Sequence, residues 1–126
     1  MPLGRSSGGK RHFAIGRKRE RGEQNKTEAR FEREWIMPRV MAQEIAWFAF
    51  EAIKLRLADA TFFTADFSIL PVDGVLEIID VKGSPRIVEE DARVKIKVAA
   101  ELFPFRFFFA WPLPKAEGGG WHRDEI

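Results

Sequence analysis

The chain has 126 residues, 45% of them apolar, no cysteine and a formal net charge of +2. That length and apolar content suit a single domain with a buried core; the missing cysteines exclude a disulfide framework and thiolate metal sites. No run reaches the roughly 18 apolar residues that span a bilayer, and no apolar segment follows the basic N-terminus as in a secretory signal, so a cytoplasmic protein without membrane contact is expected.

The charge is unevenly placed. Residues 1–26 hold eight Lys/Arg against Glu20 and Glu23, a net +6, while the rest holds 13 basic and 17 acidic residues, a net −4. Residues 1–24, rich in Gly, Ser, Arg and Lys without apolar periodicity, read as a flexible basic arm, and residues 25–126 as the folded domain. Arg17, Lys18, Arg19 and Arg21 are the candidate phosphate contacts of this arm; a tail that only aids solubility is the alternative.

A helix is expected to start at Asn25 to Thr27, with Asn25 or Thr27 as cap, and to stop before Pro38. Ala29 or Phe31, with Trp35 and Ile36, forms its apolar face; Glu28 and Glu32, four apart, share another face. Residues 44–57 read mostly as one strand: Trp47, Phe48 and Phe50 favour β structure, and Ile53-Lys54-Leu55-Arg56-Leu57 alternates, with Lys54 and Arg56 outward. Ala58-Asp59-Ala60 turns into a second strand, Thr61 to Leu70. Pro71-Val72-Asp73-Gly74 turns again into a central strand, Val75 to Lys82. Ser84 and Pro85 open a helix that runs to about Phe103, with Ile87, Val94, Val98 and Leu102 as its buried stripe and Arg93, Lys95 and Lys97 on other faces. Phe105 to Trp111 forms a strand that returns parallel to Val75–Lys82. A Gly-rich turn at 115–120 leads to an edge strand, Trp121 to Ile126. His12 and His122 are too few for a histidine metal site, and His122 receives no catalytic role. The order α-β-β-β-α-β predicts an α/β fold with a mixed central sheet flanked by helices.

The hairpin from Thr64 to Gly83 carries acids where strands are normally apolar. Asp80 and Lys82, two apart, share a strand face. If Asp66 folds back beside Asp80, two carboxylates and an amine converge. Charges on a buried strand are costly unless paired or metal-bound. Such a cluster suits magnesium (or manganese), which takes one or two carboxylates together with waters and phosphate oxygens. Lys82 then orients or activates a water or stabilises charge on the phosphate. The plain alternative is an Asp80–Lys82 ion pair in an ordinary hairpin. There is a parity condition. A four-residue turn at 71–74 sets Asp66 opposite Ile79, on the face away from Asp80; the site needs one more loop residue or a bulge near Asp66.

Asp66, about fourteen residues of hairpin, then Asp80-Val81-Lys82 resembles the PD-(D/E)xK nuclease signature, with Ala65 in the proline position. The wider stretch, Asp59 to Phe67 and then Asp80-Val81-Lys82-Gly83, is similar to small phage-type nucleases of that superfamily, Holliday-junction-resolvase-like or like the end-cleaving subunits of some transposons. The likeness covers about residues 26–111. It implies a restriction-endonuclease-like core and a magnesium-dependent DNA endonuclease, acting in phage DNA recombination or junction resolution and, if phage-encoded, in the host cytoplasm. It also implies a catalytic set of Asp66, Asp80, Lys82 and Glu28, the three acids holding the metal. Lys26-Thr27-Glu28-Ala29-Arg30 looks like the helix start that supplies a metal-site glutamate in this superfamily, which favours Glu28 over Glu32. A basic residue on the helix after the DxK strand, Lys95 or Lys97, is expected to face the substrate phosphate. A homodimer is expected because symmetric cuts need two sites. A nuclease-fold DNA-binding or assembly protein without catalysis, and an RNA-directed nuclease, are the alternatives.

Overall fold

The computed structural model of the chain describes residues 22–87 and 89–126. Arg17, Lys18, Arg19 and Arg21, and with them residues 1–21 of the expected arm, lie outside the described residues.

Asn25 caps α1 (Lys26–Phe31) through a reciprocal box. Its side-chain oxygen accepts from the Glu28 N–H at 2.7 Å, and the Glu28 carboxylate accepts from the Asn25 N–H at 2.8 Å. Two of the helix's orphan donors are satisfied this way. The helix does not stop at Pro38. It widens into a π segment (Glu32–Ile36) and continues as α2 (Met37–Met41). Proline has no N–H, and its ring presses on the carbonyl one turn back. The wide turn ahead of it, where the Met37 N–H reaches the Glu32 carbonyl, relieves that crowding, so Pro38 sits in the first turn of a new α segment, where proline is tolerated.

The strands are β1 (Ile45–Phe50), β2 (Lys54–Ala58), β3 (Thr61–Thr64), β4 (Phe67–Pro71), β5 (Glu77–Val81), β6 (Arg106–Pro112) and β7 (Trp121–Glu125), with α3 (Glu90–Leu102) between β5 and β6. A five-stranded sheet has the order β1-β4-β5-β6-β7, and β2 with β3 makes a second, two-stranded sheet. β5 runs parallel to β6 and every other pair is antiparallel. The class is therefore α/β with a mixed central sheet. The parallel return of β6 and the edge position of β7 match the sequence expectation.

Each of the two long strands expected at 44–57 and 61–70 is broken in two at the same level. Glu51 takes a left-handed φ of 49°, and its N–H donates to the Asp66 carbonyl at 2.8 Å. Up to this bend the hairpin belongs to the main sheet; past it, β2 and β3 turn aside. The cause is the division of apolar side chains between two cores. Phe67, Ile69, Ile79, Val81 and Phe108 pack with Phe31 and Ile36 on one face, while Leu55, Phe63, Ala65, Ile78, Phe107 and Phe109 pack with Ile96 and Ala99 on the other. A flat strand cannot send Phe63 and Ala65 into one core and Phe67 into the other without changing its path there.

α3 also departs from expectation. Pro85–Ile87 form only a 3₁₀ turn, and the α-helix begins at Glu90. That start places Glu90 and Asp91 in the first turn, where negative charge suits the helix dipole. The expected buried stripe is wrong. Ile96 and Ala99 are buried, whereas Val94, Val98 and Leu102 are 53%, 39% and 54% exposed. Ile96 fills the space over the sheet, and Ala99 is small enough to let the helix approach closely. The side chain of Ile87 is not among those described.

Candidate active site

β4 and β5 pair with Phe67 opposite Ile79, Ser68 opposite Ile78 and Ile69 opposite Glu77. This is the other parity from that of a four-residue turn, and carried one residue past the end of the ladder it brings Asp66 level with Asp80. β4 ends at Phe67, so Asp66 lies in the bend just before it. There its carboxylate stands in for a strand carbonyl: Oδ2 accepts from the Val81 N–H at 2.7 Å. The next N–H, that of Lys82, faces the other way and donates to Ala110 of β6 at 2.8 Å. The missing rung of the ladder is thus filled by an acid.

Asp80 is only 7% exposed. It shares its face of β5 with Ile78, on the side that α3 covers. Lys82, two residues on, places Nζ 2.9 Å from Asp80 Oδ2. Burial alone would lower the Lys82 pKa, but the carboxylates of Asp80, Asp66 and Glu89 outweigh it and hold the amine above its usual value. Lys82 is therefore an ammonium at neutral pH. Asp66 shows the opposite imbalance. Burial first, then the negative charges of Asp80 and Glu28, push its pKa up to about 10 against the lowering effect of the Val81 N–H. Holding its proton, Asp66 hydrogen-bonds the Glu28 side chain. Glu28 thus serves two structures at once, the cap of α1 and the acid cluster. Glu32 is turned elsewhere and accepts from Gln24 Nε2 at 2.6 Å.

Asp66, Asp80, Lys82 and Glu28 are accordingly brought together. Lys95 and Lys97 are not part of this cluster. α3 starts at Glu90, so they sit about 7.5 and 10.5 Å along its axis, and the group that approaches Lys82 from this direction is Glu89. Glu89 carried no signal in the sequence, because its proximity depends on where α3 begins. Glu77 was also missed. It is buried on β5 at the end away from Asp80, paired with Arg123 at 2.7 Å and Arg106 at 3.6 Å. A cavity of about 390 Å³ opens at that same far end, lined in part by Trp35, Arg39, Glu77 and Arg123. It is remote from the acids.

Among the described residues, no three His, Asp or Glu side chains are arranged as a ready metal cage. Magnesium does not require one, since it binds through one or two carboxylates and keeps its remaining positions for water and phosphate. The donor set fits such an ion for a stated reason. Burial first, and then the negative charges of Asp80 and Glu28, keep a proton on Asp66. A divalent cation relieves the same repulsion as that proton.

No family model, curated protein or solved structure matches the chain.

Proposed function

We propose that this chain is a metal-dependent DNA endonuclease with a restriction-endonuclease-like core, of the PD-(D/E)xK kind. The observation that carries the reading is the parity of the β4–β5 hairpin, which sets Asp66 beside Asp80 and Lys82 at the point where α1 delivers Glu28. Asp66 and Asp80 would hold magnesium or manganese, with Glu28 completing the site. The ion supplies electrophilic polarisation of the phosphate and a more acidic water. Lys82, fixed by Asp80 and charged, donates hydrogen bonds to the attacking water or to the phosphate oxygen that gains charge. A lysine that stays protonated serves as an orienter and electrostatic partner, not as the base that removes the water's proton. The Val81 N–H, which donates to Asp66 Oδ2, would keep that carboxyl aimed toward a bound ion.

The proposed substrate is DNA in the cytoplasm, with recombination or junction processing as the setting. The test is cleavage of duplex, flap, four-way-junction and single-stranded DNA, and of RNA, each with magnesium, with manganese and with chelator. Metal-dependent cutting of a DNA substrate is expected. Asp80→Ala should lower it by more than about 100-fold, beyond the usual loss of an outer-shell partner, with DNA binding retained, because cationic phosphate contacts carry binding. A variant that still cuts near the wild-type rate refutes the site. Binding without cutting by the wild type selects the non-catalytic reading, and cutting of RNA alone selects the RNA-directed one.

A further inference from the structure

The C-terminal half of the sheet carries a second set of side chains on the face that holds Asp80. β5 and β6 pair with Asp80 opposite Phe109 and Val81 opposite Ala110; one residue past the end of that ladder, Lys82 comes level with Trp111. Trp111 in turn pairs with His122 of β7. Paired residues on neighbouring strands share a face, and Phe109 and Trp111 both pack into the core that holds Ile96 and Ala99 of α3. Lys82, Trp111 and His122 therefore form one row across three strands. Strands lie about 4.8 Å apart, so the row runs outward from the acids by roughly 10 Å to the edge of the sheet.

The row is aromatic where it leaves the acid cluster. The Trp111 and His122 rings lie 4.8 Å apart with an angle of 38° between their planes. Trp111 is partly buried and His122 is exposed, so the ring surface continues from the core out to solvent. A cation stands beside it. The Arg93 guanidinium lies 5.7 Å from the centre of the Phe109 ring, and Phe109 has Asp80 on one neighbouring strand and Asp124 on the other. Among the described residues no carboxylate forms an ion pair with Arg93, so its charge offsets those two acids and is available to a phosphate. A cross-strand ring pair stabilises a sheet by itself. This one also continues the line of Lys82 and has an arginine without an ion-pair partner next to it.

We infer that Trp111 and His122 are a stacking platform for an unpaired base of the DNA strand that the acids engage, with Arg93 holding a phosphate beside it. The inference rests on the nuclease reading for its ligand and narrows the substrate class: DNA with unpaired nucleotides next to the cut, as in a flap, an overhang or an open junction. The reason is geometric. In a duplex both faces of each base are covered by its neighbours, whereas an unstacked base offers its π face to a protein ring. Rings at the surface together with a cation for the backbone are the two components that single-strand sites combine.

Binding by the full chain in chelator, where no cutting occurs, tests it. Fluorescence anisotropy is read on a labelled single-stranded DNA oligonucleotide and on a blunt duplex of the same length. His122→Ala should weaken single-strand binding at least about fivefold, the loss of one stacked base, and leave duplex binding unchanged, which also shows that the variant is folded. His122→Phe, a ring without the imidazole's charge or N–H, should restore it. Arg93→Gln should lower the salt slope of single-strand binding by about 0.7, and an unchanged slope overturns the phosphate contact. A wild type that binds only duplex overturns the inference. So does a His122→Ala variant that binds the single strand as tightly as the wild type or loses both ligands equally, or a Phe variant that fails to recover binding. The nuclease reading fails separately, through the absence of cutting when magnesium or manganese is added back, and a His122-dependent grip on the single strand would survive that result.

Discussion

Asp66 is held in a form that opposes the stability of its own fold. Its carboxyl has an ordinary pKa of 3.8 in an unfolded chain and about 10 in place. Below pH ~4 both states hold the proton, and the group has no effect on the balance. Between there and pH ~10 the unfolded chain has released the proton and the folded one has not, so stability falls as pH rises, by up to about 1.4 kcal/mol per pH unit. The raised Lys82 pKa works in the other sense, but its stabilisation is fully present below the unfolded pKa near 10.5 and is lost only above it. Asp66→Asn keeps an oxygen for the Val81 N–H and removes the titration. In metal-free buffer it should melt above the wild type, with a gap that widens from pH 5 to pH 8. An Asn variant no more stable than the wild type at pH 8 would show that Asp66 is not held in this strained state.

The hairpin from β4 to β5 decides the site by a single residue of register. With Phe67 opposite Ile79, Asp66, the residue before Phe67, comes level with Asp80. Inserting one glycine between Asp73 and Gly74 lets the strands pair with the other parity, which would carry Phe67 and Ile69 out of their core. The core holds the register, because nine buried residues, Phe67 and Ile69 among them, form the cluster on that side. The insertion should therefore bulge at the exposed tip and leave cleavage within a few-fold of wild type. Loss of cleavage with the fold retained would show instead that the turn sets the parity. The sequence disclosed the hairpin, its acids and the parity condition, because all three follow from local spacing. It did not disclose how the condition is met, since the register depends on which core Phe67 and Ile69 enter. The same limit explains the breaks at Glu51 and Asp66. From Phe63 to Ile69 local alternation continues through Asp66, and only the division of side chains between two cores bends the chain there. On α3 the pattern held two apolar rows of similar strength, and the choice between them lies in the sheet. Glu28 over Glu32 rested on resemblance in the sequence; in the structure, the cap on Asn25 aims Glu28 at Asp66.

At the scale of the whole molecule, charge is divided between an arm, residues 1–24, with net +5 and a body, residues 25–126, with net −3. A body that is acidic overall and carries an acid cluster repels phosphate at long range, so association with DNA should depend on the arm. Deleting residues 1–24 removes Arg17, Lys18, Arg19 and Arg21, and the slope of log K against log salt should fall by roughly two to four units, at about 0.9 for each phosphate no longer neutralised. Cleavage at low salt and saturating enzyme should survive, because Asp66, Asp80, Lys82 and Glu28 all lie in the body. An unchanged slope would identify the arm as a solubility tail and move DNA binding to the body, with Lys95, Lys97 and Arg93 the next residues to substitute.

The bent hairpin also has a consequence in time. β2 and β3 close through the short turn at Asp59 and Ala60, and the same hairpin extends past the bend into β1 and β4, whose partners Phe50 and Phe67 are separated by only the chain between them. β5 then adds through the next turn. β6 can join only after α3 has crossed the sheet, since Val81 pairs in parallel with Ala110. Loop-closure entropy falls most heavily on that last pairing. Zippering from the Ala60 turn should therefore be the nucleus, and it aligns Asp66 with Asp80 before the far half of the sheet exists. Ala60 has a φ of 53°, a conformation that costs an L-residue about 1 kcal/mol and glycine almost nothing. Ala60→Gly should therefore speed refolding and leave unfolding nearly unchanged in stopped-flow chevrons. A gain appearing only in the unfolding limb would mean that the parallel pairing comes first, and that the acids meet late in folding.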